Sequence, residues 1–141
     1  MSARGLQIDI EGLGLRYGQT DVLVDIDLHV EAGERLCLVG PNGAGKSSLL
    51  RCLTGLAQPT AGTVALDGEQ LAEIERSAVA QAISVVPRQV DLPFSMRVEE
   101  VVRLGRIPHE NPFTGATAED HAAVETAISR VGIGKLRGRD V

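Results

Sequence analysis

A mixed α/β fold is what the sequence predicts, with an antiparallel β region first, a strand–loop–helix unit next and helices last. Three observations predict it. Leu6, Ile8 and Ile10 alternate with Gln7, Asp9 and Glu11, and Val22, Val24, Ile26, Leu28 and Val30 alternate with Leu23, Asp25, Asp27 and His29; period two marks half-buried antiparallel strands. A continuous apolar run at 36–39, of the kind buried on both faces of a sheet, meets the glycine-rich stretch 40–45, which cannot prolong it. Beyond Lys46 the period becomes helical.

Leu49, Leu50, Leu53 and Leu56 share one face of that first helix, and Gly55 is its stop. Residues 59–62 read as a turn, 63–66 as a strand and Asp67-Gly68 as a tight turn. A polar helix over about 71–82 leads into a second apolar strand at 83–86, closed by Pro87. Val98, Val101 and Val102 suggest a short helix. The last helix is clearer. Thr117 and Asp120 have capping-box spacing, and Val124, Ala127, Ile128 and Val131 line one face opposite Glu119, Glu125, Ser129 and Arg130.

Composition narrows the function. A chain of 141 residues with 43% hydrophobic and 23% charged residues is ordinary globular material for one domain. Aromatics are only 2%, so the core is aliphatic. The net charge of -5 supplies no basic field to hold nucleic acid, although one polyphosphate needs only a local cradle. Cys37 and Cys52 form neither a disulfide framework nor a metal spacing and read as buried thiols. His109-Glu110 and the pair His121 and Glu125 lack a third metal ligand. No run approaches the ~20 apolar residues of a membrane span, and the N-terminus has no signal-peptide pattern, so a cytoplasmic location is expected.

The chemistry concentrates at Gly40-Pro41-Asn42-Gly43-Ala44-Gly45-Lys46-Ser47, which fits G-x-x-x-x-G-K-[ST]. It follows an apolar strand and opens an amphipathic helix, as a phosphate loop should. Gly43 and Gly45 allow conformations that a Cβ forbids, so amides from Gly43 to Ser48 can point inward at the positive end of the helix dipole. Lys46 suits β- and γ-phosphates, Ser48 an α-phosphate, and the Ser47 hydroxyl suits Mg²⁺.

With its inner residues, this loop resembles that of ABC-transporter ATPases, and the resemblance extends along essentially the whole chain. It implies an α/β, P-loop NTPase core of ABC type, with an N-terminal antiparallel β region and the start of a helical lobe. On that pattern residues 1–86 form the β region and P-loop core, 87–97 the Q-loop region and 98–141 the helical subdomain, an incomplete ABC domain. ATP and Mg²⁺ are the implied cofactors, held by Gly40, Asn42, Gly43, Ala44, Gly45, Lys46, Ser47 and Ser48. Leu15-Arg16-Tyr17-Gly18 is similar to the family's adenine-stacking loop, which would set Tyr17 on the base; its alternative is a hairpin-packing role. The stretch from Leu92-Pro93-Phe94 through Leu104-Gly105-Arg106-Ile107-Pro108-His109 resembles the iron-chelate, haem and cobalamin importers.

That branch implies several partners: transmembrane permease subunits, a second ATP-binding subunit and, indirectly, a periplasmic or extracellular binding protein. It implies no nucleic acid, and a location on the inner face of the membrane. Phe94 and Met96 are candidates for the permease contact, or else pack into the domain's own core.

Two residues depart from the family pattern. A glutamine that reaches Mg²⁺ follows the V-P of relatives, where this chain has Arg88 and only then Gln89. Spacing puts Arg88 in the glutamine's place, where its guanidinium could reach the γ-phosphate but not ligate Mg²⁺, and Gln89 is the metal candidate. Arg97 stands where relatives often have a capping Thr. The family's L-S-G-G-Q signature, the apolar strand ending in Asp-Glu and the switch histidine do not occur among these residues. The expectation is ATP binding without appreciable hydrolysis by this chain, which has no complete catalytic set. The alternative is a nucleotide-binding or docking module without turnover.

Overall fold

A computed structural model describes residues 5–88, 94–111 and 115–141. Gln89, Leu92 and Pro93 lie outside the described residues. Contacts divide the chain into two units, Met1–Ile83 and Ser84–Val141.

The first unit is built on a four-stranded antiparallel sheet in the order β2-β1-β3-β4, with β1 Ile8–Tyr17, β2 Thr20–Val30, β3 Ala61–Leu66 and β4 Glu69–Gln70. Two-residue turns close both hairpins. Tyr17 pairs with Thr20 across Gly18-Gln19. Asp67 and Gly68, with φ of 49° and 84°, join β3 to β4 in the doubly positive turn that matches strand twist. The α1 helix, Lys46–Leu53, closes the core, where Ile10, Leu13, Leu15, Leu23, Leu49, Cys52 and Val64 cluster. α2, Arg76–Ala82, is shorter than its polar pattern suggests, since residues 71–74 form turns instead.

The strands predicted at 6–11, 22–30 and 63–66 pair antiparallel as expected, but the alternation of β2 does not hold. Leu23, expected on the polar face, is 6% exposed, and Val24 is 66% exposed. The ladder aligns Leu13 with Ile26 and Leu15 with Leu23, so β2 carries one extra residue there. Asp25, at φ 51°, occupies that bulge and reverses which side chains face inward. A complementary bulge in β1 surrounds Gly12, whose amide donates to the Asp27 carboxylate at 2.7 Å.

Three further expectations are corrected. Neither 36–39 nor 83–86 joins a ladder. Val39 and Val86 are 89% and 95% exposed, and Cys37 is exposed, not buried. A strand buried on both faces needs neighbours on both sides, and among the described residues no strand lies beside these runs. The inward face of α1 is Leu49 and Cys52, with Leu50 and Leu56 exposed, because the helix ends at Leu53 and its apolar stripe is narrower than the leucine pattern. Burial pushes the Cys52 thiol pKa up, as suits a small hydrophobe.

The second unit contains α3, Val98–Leu104, a 3-10 turn Ile107–His109, α4, Ala118–Val131, and a 3-10 turn Gly134–Leu136. Thr117 caps α4 as expected: its Oγ1 accepts from the Asp120 amide at 3.3 Å, and its own amide donates to Asp120 Oδ2 at 2.9 Å. Asp120 is 4% exposed and also receives Arg106 Nε at 2.9 Å. The Thr117 amide and hydroxyl, with the Arg106 guanidinium, hold the carboxyl pKa down to about 2. Ile128 is buried on the predicted face of α4, but Val131 is 71% exposed at the helix end.

Candidate functional site

Glycines decide where the phosphate-loop motif bends. Gly43 and Gly45 have φ of 85° and 83°, in the left-handed region. A Cβ on Gly45 would also stand 2.8 Å from Leu23 Cδ2 and 3.0 Å from the Val22 carbonyl, so only glycine fits between the loop and β2. Inside the loop the Ala44 amide donates to the Pro41 carbonyl at 3.3 Å.

Gly45 is the N-cap of α1 and brings no side chain to cap it. The first helical bond is Leu49 N–H to the Gly45 carbonyl at 2.8 Å. Among the described residues, the amides of Gly43, Gly45, Lys46, Ser47 and Ser48 therefore have no acceptor. No acidic residue stands in the first turn to take them. Orphan donors at the positive end of a helix dipole form an anion site. Lys46 folds back over the loop, its Nζ donating to the Gly40 and Pro41 carbonyls at 2.7 and 2.6 Å. Among the described residues no carboxylate holds the ammonium, so a phosphate oxygen can replace neutral carbonyls at it. Ser47 is exposed and Ser48 half-buried on the same first turn.

Tyr17 ends β1 and is 48% exposed. Its hairpin is pinned by Arg16 Nε to Asp21 Oδ1 at 2.6 Å. The strand pair that carries Tyr17 is also the one against which Gly45 packs, through Val22 and Leu23. Asn42 and Ala44 are exposed on the loop. The donor set fits a polyphosphate, and the free Ser47 hydroxyl fits a well-hydrated Mg²⁺. Gln89 lies outside the described residues, and Arg88 is exposed in the second unit. Sequence reasoning missed the role of Leu23 as the floor under Gly45. The signal was present: an apolar residue out of phase with its strand.

The second unit carries a groove of about 260 Å³ lined by Met96, Glu100, Arg103, Leu104, Ile107 and Glu110. Phe94 is 65% exposed and Ile107 60%. Of the residues expected to contact a partner, Phe94 thus stays out of the core and Met96 lines the groove. Among the described residues, no helix is long and apolar enough to cross a membrane.

Comparison with known proteins agrees with this geometry. The family model described as ABC transporter matches residues 23–141. A cobalamin import ATP-binding protein, BtuD of Halobacterium salinarum, is 38% identical over 136 residues, covering 96% of this chain and 34% of that protein. A hemin import ATP-binding protein, HmuV of Pseudomonas entomophila, is 42% identical over 132 residues, covering 94% of this chain and 50% of that protein. A solved bacterial Atm1-family ABC exporter with ATP bound superposes with a TM-score of 0.72 at 26% identity, over 98% of this chain and 24% of that chain. The chain spans half or less of the length of these relatives. Its fold is a part of the ABC ATPase fold, an N-terminal antiparallel sheet followed by the early helical lobe. With the loop, the sheet and the matched residues in agreement, the chain belongs to the ABC transporter family.

Proposed function

We propose that the chain binds Mg·ATP as the nucleotide-binding part of an importer ATPase for iron chelates, haem or cobalamin. In this reading the amides of Gly43 to Ser48 surround the phosphates, with Gly40, Asn42 and Ala44 shaping the loop. Lys46 leaves the Gly40 and Pro41 carbonyls for the β- and γ-phosphates, and Tyr17 lies on the adenine. Ser47 would hold Mg²⁺, which supplies charge neutralisation at the phosphates. Support for the cargo class comes from relatives whose names specify cobalamin, hemin and siderophore transport.

The single observation that carries the proposal is the row of acceptor-free amides at the start of α1. Exposed Phe94 and the groove at Met96 would meet a permease subunit at the inner face of the membrane. A second ATP-binding subunit and, indirectly, an external binding protein would complete the transporter. Hydrolysis would belong to the full assembly.

Titration with Mg·ATP tests the nucleotide site. Charge-assisted bonds are worth ~1.5–3 kcal/mol, so Lys46→Ala weakens binding by about one to two decades. Tyr17→Ala weakens it by ~1–3 kcal/mol through lost stacking. Equal affinity of wild type and Lys46→Ala would remove the proposal.

A further inference from the structure

We propose that Arg137 is a positioning residue: with residues 137–141 it latches the start of α3 and so sets the shape of the Met96 groove. The starting point is a deficit. Helix starts leave orphan amides, and Arg97, the N-cap of α3, has a side chain that only donates. Glu100 Oε2 accepts the Arg97 amide at 2.7 Å, which leaves the next two amides to be satisfied. Their acceptors come from far along the chain. Val98 N–H donates to the Arg139 carbonyl at 2.9 Å and Glu99 N–H to the Arg137 carbonyl at 3.1 Å. Val141 N–H returns a bond to the Met96 carbonyl at 2.9 Å, so Arg97 and Asp140 face one another as an antiparallel bridge.

One guanidinium holds this arrangement in register. Arg137 Nε bonds Glu99 Oε2 on α3 at 3.0 Å, and its Nη2 bonds Glu125 Oε1 on α4 at 2.6 Å. The three side chains are 46%, 36% and 59% exposed, so each pair is weak on its own. A joint made of weak, solvated pairs opens at small cost, unlike the buried Arg106–Asp120 pair deeper in the same unit. Met96 and Glu100 belong to both the latched segment and the groove lining. The latch and an occupant of the groove are therefore linked: by whatever factor an occupant changes latch closure, closure changes the occupant's affinity. Only the purpose of the latch rests on the groove being a docking surface.

The test needs neither partner nor nucleotide, so its failure is distinct from failure of the ATP site. Met1 and Met96 are the two methionines, which makes Met96 sulfoxidation by peroxide readable by mass with Met1 as internal control. Arg137→Ala is expected to speed Met96 oxidation and amide exchange at Val98 and Glu99 roughly fivefold, with exchange in β1 unchanged. Arg97 and Asp140 form the non-hydrogen-bonded pair of an antiparallel bridge, the kind whose Cα atoms stand closer, which suits a disulfide. In a Cys37→Ser background, the oxidised Arg97→Cys/Asp140→Cys pair should return both rates of Arg137→Ala to wild-type values. Rates within about twofold of wild type in Arg137→Ala would overturn the proposal. So would a matching rise in β1, or failure of the disulfide to rescue.

Discussion

β1 and β2 lie in a ladder, whereas the apolar run 36–39, only a few residues downstream, lies in none. The first pair is joined by a two-residue turn, so each strand finds its hydrogen-bonding partner locally. The run 36–39 enters a glycine loop and then a helix, so its partners must come from a crossover farther away. Apolarity alone does not make a strand. It makes one when donors and acceptors on a neighbouring chain are within reach.

The comparison can be broken most forcefully in the core. Leu13 is 0% exposed, and Leu13→Ala is expected to destabilise by about 2–5 kcal/mol, whereas Val39→Ala should stay within about 0.5 kcal/mol. Denaturant midpoints measure both; comparable losses would mean that 36–39 is buried against a partner after all.

A smaller effect belongs to the helical unit, where a local cap substitutes for a long-range partner. Thr117→Ala should cost about 1 kcal/mol in thermal or chemical unfolding. The same cap has an acid signature. Asp120 has its pKa lowered from 3.8 to about 2, so its contribution is present above the ordinary value and lost as pH falls through the lowered one. Asp120→Asn should remove that part of the acid transition; an unchanged acid limb would contradict the assigned bonds.

The smallest effect lies on the sheet surface. His29 Nε2 meets Glu31 at 3.0 Å and its Nδ1 meets Asp9 at 2.5 Å, which raises its pKa above 6.5. A raised pKa means stability present below the ordinary value and lost as pH climbs through the raised one. The cluster is exposed and salt-screened, so the difference between wild type and His29→Gln should fade as ionic strength increases. An undiminished difference in high salt would point to packing instead of charge.

The backbone of the loop was legible in the sequence. Spacing placed the glycine bend and the helix behind it because each answers a local demand, and Gly43 and Gly45 do take positive φ ahead of α1. The alternation in β2 was misleading because a bulge depends on how two strands align, and Asp25 carries no mark of that alone. Arg97 looked like a lost cap because its replacement acceptors lie about forty residues away.

The sequence by itself determined the elements whose partners are near in the chain: both hairpins, the phosphate loop, α1 and the cap of α4. Tertiary structure decided which face of β2 turns inward, which apolar runs stay unpaired and how α3 is capped. The reason is range. Turn chemistry and helix caps are satisfied within a few residues, whereas ladder register and distant carbonyls are settled only when remote segments meet.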